Sequence, residues 1–257
     1  MKNTLSKLNH QPRQISPIDQ VIQGIDQAIQ TIFGTPVGTG RPDPAIAAKP
    51  RSHEDTGIST QSSTAETSPH DDVNVSDKDK TSSNTKLSEQ ERRQSAALMR
   101  INHCGEVCAQ ALYQGQALTA SSVKVRQSMQ QASDEENDHL LWCKNRLDEL
   151  DSHTSFLNPA WYANSFAIGA IAGMVGDKWS LGFVAETERQ VVKHLDKHLH
   201  QISTNDYKTH AVLTQMKTDE AKHATNAVNN GAAELPDPIK KIMQLSSKIM
   251  TKTTYWV

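Results

Sequence analysis

Ser133-Asp134-Glu135-Glu136-Asn137-Asp138-His139-Leu140 and Thr218-Asp219-Glu220-Ala221-Lys222-His223 decide how this chain is read. Each contains Glu-x-x-His inside a run with helical periodicity. Glu136 and His139 fall on the stripe of Met129, Ala132, Leu140, Cys143 and Leu147, and Glu220 and His223 share a face with Val212, Leu213, Met216 and Ala227. At i, i+3 on a helix both side chains project to one side and can grip one ion. A carboxylate facing an apolar core costs several kcal/mol on the effective scale unless a cation or a proton neutralises it. These glutamates call for a cation.

Two further glutamates break apolar stripes. Glu106 lies among Met99, Ala109, Tyr113 and Ala117, and Glu188 among Val184, Ala185, Val191, Val192 and Leu195. Glu106 precedes Glu136 by 30 positions and Glu188 precedes Glu220 by 32, and the midpoints, 121 and 204, fall on the polar breaks Ser121-Ser122 and Ser203-Thr204-Asn205-Asp206. Residues equidistant from the turn of an antiparallel hairpin sit at one height. Each hairpin therefore presents Glu opposite Glu-x-x-His, and the pattern occurs twice. The 49 positions from His139 to Glu188 leave room for a long crossover. The predicted fold is all-α, a ferritin-like four-helix bundle flanked by N-terminal and C-terminal amphipathic helices. Four glutamates and two neutral imidazoles carry four negative charges, which two divalent ions cancel. Oxygen ligands with two nitrogens suit iron or manganese, and the absence of a thiolate argues against structural zinc.

Composition agrees. In 257 residues, 27 Lys+Arg face 29 Asp+Glu, without the basic excess of a nucleic-acid binder. Three cysteines suit a reducing compartment better than a disulfide framework. No secretory signal is apparent at the start, and the strongly apolar run from Phe166 to Val175 is too short to span a bilayer. The chain divides into an N-terminal helical segment (1–34), a Ser/Thr/Pro-rich stretch without aromatic residues (35–86), expected to be a disordered linker, and a catalytic domain (87–257). In the first, Ser16 and Pro17 open a helix whose stripe of Ile18, Val21, Ile22, Ile25, Ile29, Ile32 and Phe33 is expected to pack on the bundle. Helices are expected from about Phe166 or later to Ile202, from Asp206 to Asn230, and from Pro238 to Met250.

Other residues carry weaker signals. Asp219 and Glu135 each precede a candidate ligand and are read either as acceptors for a ligand histidine's free N–H or as exposed on the helix surface. His103 and Tyr113 flank Glu106 as donors, substrate contacts or packing. His194, His198 and His200 read as a solvated face. Cys104, Cys108 and Cys143 read as buried small residues, because helical i, i+4 geometry suits a disulfide poorly.

Met99-Arg100-Ile101-Asn102-His103-Cys104-Gly105-Glu106, Glu136-Asn137-Asp138-His139, the run from Gly176 to Glu188 and Asp219-Glu220-Ala221-Lys222-His223 together resemble the bacterial demethoxyubiquinol hydroxylases of ubiquinone biosynthesis. The resemblance covers Ser16 to Phe33 and Leu87 to the C-terminus. It implies a di-iron monooxygenase that uses dioxygen to hydroxylate 2-polyprenyl-3-methyl-6-methoxy-1,4-benzoquinol. It also implies a peripheral protein on the cytoplasmic face of the cell membrane, with partners among the enzymes of ubiquinone biosynthesis. Carried over, Glu106, Glu136, His139, Glu188, Glu220 and His223 are the iron ligands. The aromatic crossover, with Phe156, Trp161, Tyr162, Phe166, Trp179 and Phe183, suits a polyprenyl substrate. A C-terminal helix that sets Ile239, Ile242, Met243, Ile249 and Met250 against Lys240, Lys241, Lys248 and Lys252 suits an anionic lipid surface. Two alternatives remain: a ferritin-like ferroxidase, which shares the ligand pattern but handles only iron, and a non-enzymatic helical module, which leaves four core-facing glutamates unexplained.

Overall fold

The computed structural model describes residues 17–35, 37–50 and 87–257, and among them there are eight helices and no strand. They are α1 (Pro17–Phe33), α2 (Pro44–Ala47), α3 (Glu89–Thr119), α4 (Val123–Glu149), α5 (Asn158–Val175), α6 (Asp177–Gln201), α7 (Tyr207–Asn229) and α8 (Asp237–Thr254). Helices α3 and α4 form one hairpin and α6 and α7 the other, α5 lies along α3, and α8 closes over α3 and α6.

Local chemistry sets the boundaries. Ser88 opens α3 with a capping box: its side chain accepts from Glu91 N–H while the Glu91 carboxylate takes the Ser88 backbone N–H. Asp177 at the start of α6 accepts from the Ser121 and Ser122 N–H groups, so one carboxylate ties the α3–α4 turn to the second hairpin. Asp206 caps α7 through Thr209 N–H. Gly176 separates α5 from α6 with φ 123°, a conformation that a Cβ would strain. A Cβ on Gly169 would lie 2.2 Å from the Leu112 carbonyl oxygen, so glycine is what lets α5 approach α3 closely.

Two apolar clusters fill the bundle. One gathers Met99, Trp142, Leu147, Leu195 and Met216, and the other Tyr113, Met129, Leu181, Val184 and Ala227. On each of the four bundle helices the core-facing glutamate lies in sequence between the two clusters.

The crossover is itself a helix, Asn158–Val175, while α6 starts at Asp177, after the Gly176 break, in keeping with a start at Phe166 or later. Two expectations change. The stripe of α1 does not face the bundle as a whole. Ala28 and Ile32 pack beside Val107, Ala111 and Leu140, and Thr31 is buried, while Ile22, Ile25, Ile29 and Phe33 are exposed. Ala28, Thr31 and Ile32 lie on the side of the helix that meets the bundle, and Ile22, Ile25, Ile29 and Phe33 lie outside that contact. Second, residues 37–50 of the expected linker are built into the protein: Asp43 caps the short α2, Ala45 joins the core, and Thr39 and Arg41 bond to buried acids of the bundle. Those ionic contacts leave no trace in apolar periodicity. Ser16, like residues 51–86, lies outside the described residues.

Candidate metal centre

The two hairpins bring their core-facing glutamates to one point. One potential ligand atom from each of Glu106, Glu136, His139 and Glu220 lies within 4.8 Å of the others, and all four residues are buried. His139 Nδ1 lies 2.9 Å from Glu136 Oε2, 3.1 Å from Glu220 Oε1 and 3.7 Å from Glu106 Oε2. His223 Nδ1 lies 3.1 Å from Glu136 Oε1 and 3.2 Å from Glu220 Oε2. Glu136 and Glu220 thus each reach both histidines, one oxygen apiece. Glu188 stands beside them, repelled by Glu220 and Glu136, and accepts a 2.5 Å hydrogen bond from the Tyr113 hydroxyl.

The outer contacts cross between hairpins. His139 Nε2 faces Asp219 Oδ2 at 3.4 Å, and His223 Nε2 faces Glu135 Oε2 at 2.8 Å. Each acid, one position before a glutamate of its own helix, thereby fixes the outward nitrogen of the opposite helix's histidine and turns Nδ1 inward. Arg41 extends the network: Nε donates to Asp138 Oδ2 and a terminal nitrogen to Asp219 Oδ2, both at 2.8 Å, with the guanidinium 4.9 Å from the Trp142 ring centre. Thr39 adds its N–H and hydroxyl to Asp138. Asp138, nearly fully buried, and Arg41 were missed in the sequence: the first hides inside Glu-x-x-His, and the second sits in a proline-rich segment with no periodicity.

The charges settle in opposing pairs. Burial raises Glu106 well above the usual carboxylate range, and burial with repulsion from Glu220 and Glu136 does the same to Glu188. Burial acts in the same direction on Glu136 and Glu220, but the two histidines outweigh it and hold both carboxyls below their ordinary value. Conversely, burial would lower the histidines, yet the carboxylates beside them push His223 up to about 12 and His139 well above its usual range. Unaided, Glu106 and Glu188 are shifted toward their neutral form and the two histidines toward their charged form. Divalent cations can take the place of protons held in this way.

The donor set fits such ions. Glu136 Oε1 is buried and accepts no hydrogen bond despite its 3.1 Å approach to His223 Nδ1. A buried carboxylate oxygen left in that condition has an electrophile's place in front of it.

A cavity of about 370 Å³ lies between α3, α5, α6 and α8. Leu112, Ile168, Phe183 and Met243 give it apolar walls, and Glu106 forms part of its lining. Of the weaker candidates, Tyr113 joins the cluster, whereas His103 is buried near Lys144 and Asp148, its pKa pushed down to about 4 chiefly by burial. Cys104 and Cys143 are buried and Cys108 partly so, all as free thiols. His198 is not on a solvated face: it is buried against Asn102.

Fold and cluster together define a class, the helical bundles with a buried carboxylate–histidine cluster that fits a metal site. Comparison with known proteins gives the family. The profile described as ubiquinone biosynthesis protein COQ7 matches residues 93–254, and the chain belongs to that family. It is 50% identical over 245 residues to the 3-demethoxyubiquinol 3-hydroxylase of Nitrosococcus oceani, covering 95% of this chain and 99% of the relative. It is 60% identical over 171 residues to the protein of that name from Nitrosomonas europaea, covering 66% of this chain and 82% of the relative. The one from Nitrosospira multiformis is 48% identical over 240 residues, 93% of this chain and 99% of the relative.

Proposed function

We propose that this chain is a di-iron monooxygenase that hydroxylates 2-polyprenyl-3-methyl-6-methoxy-1,4-benzoquinol in ubiquinone biosynthesis. The relatives' names support the reaction. The observation that carries the proposal is Glu106, which belongs both to the carboxylate–histidine cluster and to the lining of the apolar cavity. An apolar ring entering that cavity arrives at the cluster itself.

In this proposal Glu106, Glu136, His139, Glu188, Glu220 and His223 would hold two irons, and Glu136 and Glu220, each within reach of both histidines, would stand at the centre of that set. When bound, the irons supply the reducing and Lewis-acid chemistry by which dioxygen is activated. The protein's part is positional. Asp219 and Glu135 keep the imidazoles oriented, Tyr113 holds the Glu188 carboxylate, and Leu112, Ile168 and Phe183 exclude water and orient the ring. The catalytic unit is 87–257 together with the strap 37–50.

Peripheral attachment to the cytoplasmic face of the membrane belongs to the same proposal. Among the described residues no helix is long and apolar enough to cross a bilayer. Exposed Ile242, Leu245 and Ile249 on α8, with lysines along the same helix, suit an anionic lipid surface from which a polyprenyl tail can be drawn. The exposed isoleucines of α1 offer a surface for membrane or for partner enzymes of the pathway.

The test uses reduced, iron-loaded protein with the demethoxyquinol and labelled dioxygen. The expected product carries one labelled oxygen atom, the second leaving as water with two electrons from an external donor. Label confined to water, with many irons oxidised per chain and the quinol untouched, would make the protein a ferroxidase instead.

A further inference from the structure

Among the polar groups that reach the apolar cavity, several are already engaged. His194 Nε2 is paired with Ser247 Oγ at 3.0 Å, and Gln190 donates to Glu186 at 2.8 Å. His198 is different. Its Nδ1 lies 2.8 Å from Asn102 Oδ1, an oxygen that can only accept, so Nδ1 carries the proton and Nε2 keeps the lone pair. Both residues line the cavity and both are buried, at 4% and 6% exposure. Among the described residues nothing donates to His198 Nε2. Burial, followed by His194 and Lys197, pushes the His198 pKa down to about 4, so the ring is a neutral acceptor at physiological pH. Asn102 stands one helical turn before Glu106 on α3, about 6 Å along the axis. A hydroxyl held at this end of the cavity therefore leaves its ring reaching toward Glu106.

We infer that the His198–Asn102 pair is the ring-hydroxyl contact of the cavity, and that it makes the site select a quinol over the corresponding quinone, an assignment that rests on the proposed hydroxylase function. A quinol brings the O–H that a buried acceptor nitrogen lacks. A quinone brings only a carbonyl oxygen, which sets lone pair against lone pair and leaves Nε2 unsatisfied. Sites built to bond a substrate hydroxyl reject analogues without one because their own buried polar group then goes unpaired. The apolar walls treat the two ring forms alike, and the discrimination is assigned to this nitrogen.

The experiment measures equilibrium binding to the full chain loaded with zinc, so that neither ring form is consumed. The probes are a demethoxybenzoquinone with a single isoprene unit and, under anaerobic conditions, its quinol, followed by quenching of tryptophan fluorescence, to which Trp161 in the cavity wall contributes. The unaltered chain should bind the quinol about tenfold more tightly, as one well-made hydrogen bond allows. His198→Leu should erase the preference by weakening quinol binding, with quinone binding and zinc content kept. His198→Gln, whose amide oxygen still accepts, should restore part of it, and Asn102→Leu, which frees the imidazole, should reduce it. A His198→Leu chain that retains the preference, or an unaltered chain that binds both forms equally, overturns the inference and leaves the hydroxylase proposal standing. If neither form binds the unaltered chain, the cavity is not the quinol site and both fall.

Discussion

Glu106 meets a cavity walled by Leu112, Ile168 and Phe183, whereas His139 and His223, in the same cluster, meet acids and a cation: Asp219, Glu135 and, through Asp219, Arg41. Thr39, Arg41, Glu135, Asp219, Lys222 and His223 line a polar cleft of about 400 Å³, close in size to the apolar cavity and opposite in chemistry. In the proposed function the apolar side takes the ring and its tail, and its low polarity makes unneutralised charge on Glu106 costly, which favours a bound cation. The polar side orients the imidazoles and turns their Nδ1 atoms toward Glu136 and Glu220. Damage to the cavity side should therefore appear in substrate binding, and damage to the polar side in metal binding.

The sharpest way to break this division is at its centre. Glu220→Ala removes a carboxylate that reaches both histidines, so a single substitution should lower affinity at both metal positions by more than about a hundredfold, beyond the range typical of outer-contact losses. Glu188→Ala, which takes away one terminal group, should leave some iron bound. Iron per chain after anaerobic loading and gel filtration reads both. Equal, full iron in the Glu220 variant would show that the cluster is not the metal centre.

Arg41→Ala tests the polar side alone. The guanidinium ties Asp138 to Asp219, and Asp219 faces His139 Nε2. Loss of outer contacts of this kind typically costs 10–100-fold in metal affinity. The expected result is a drop of about tenfold or more in competitive chelator titration, with the quinol affinity of the remaining holoprotein unchanged. Arg41→Lys, which cannot bridge two carboxylates in the same fork, should recover only part. An unchanged affinity would make the strap mere packing.

The two sides also differ in how far the sequence discloses them. The cluster was legible because apolar stripes at helical spacing are a strong signal, and a glutamate interrupting one stands out. The equal distances of Glu106 and Glu136 from Ser121, and of Glu188 and Glu220 from Thr204, then gave the pairing in space. Asp219 and Glu135 could be named as candidates because adjacency to a ligand fixes reach. Arg41 could not: its partners are two single carboxylates 97 and 178 positions away, and a long-range ion pair has no period. His198 was misread for a related reason. Its neighbours Lys193, Lys197 and His200 suggest a polar face, and only the packing of α3 against α6 shows that the next residue on the helical face turns inward. The stripe of α1 was visible, but which part of it the bundle would cover depends on how the helix lies against α3 and α5.

The last prediction concerns protons. In metal-free chain Glu106, Glu188, His139 and His223 all have raised pKa values, so the folded chain holds protons that the unfolded chain releases. Stability from the histidine pairs is fully present below their ordinary value near 6.5 and is lost as pH rises toward the folded values, about 12 for His223. The two raised carboxyls act in the same direction, favouring fold below their ordinary 4.5 and withdrawing that support above it. The depressed Glu136 and Glu220 act oppositely, but only as pH falls below that value, outside the range from 6 to 8. Divalent ions displace the same protons and bind more tightly as pH rises. Fe(II) added anaerobically at one fixed concentration, about 100 times its Kd at pH 6, should raise the melting temperature there by about 5–10 °C. The gain should be larger at pH 8 than at pH 6, by about 3 °C or more, since each tenfold in affinity adds ~1.4 kcal/mol. Calorimetry of Fe(II) binding in buffers of different ionisation enthalpy should show net proton release. A gain that shrinks toward pH 8, or binding without proton release, would mean that the ions do not replace the protons of this cluster.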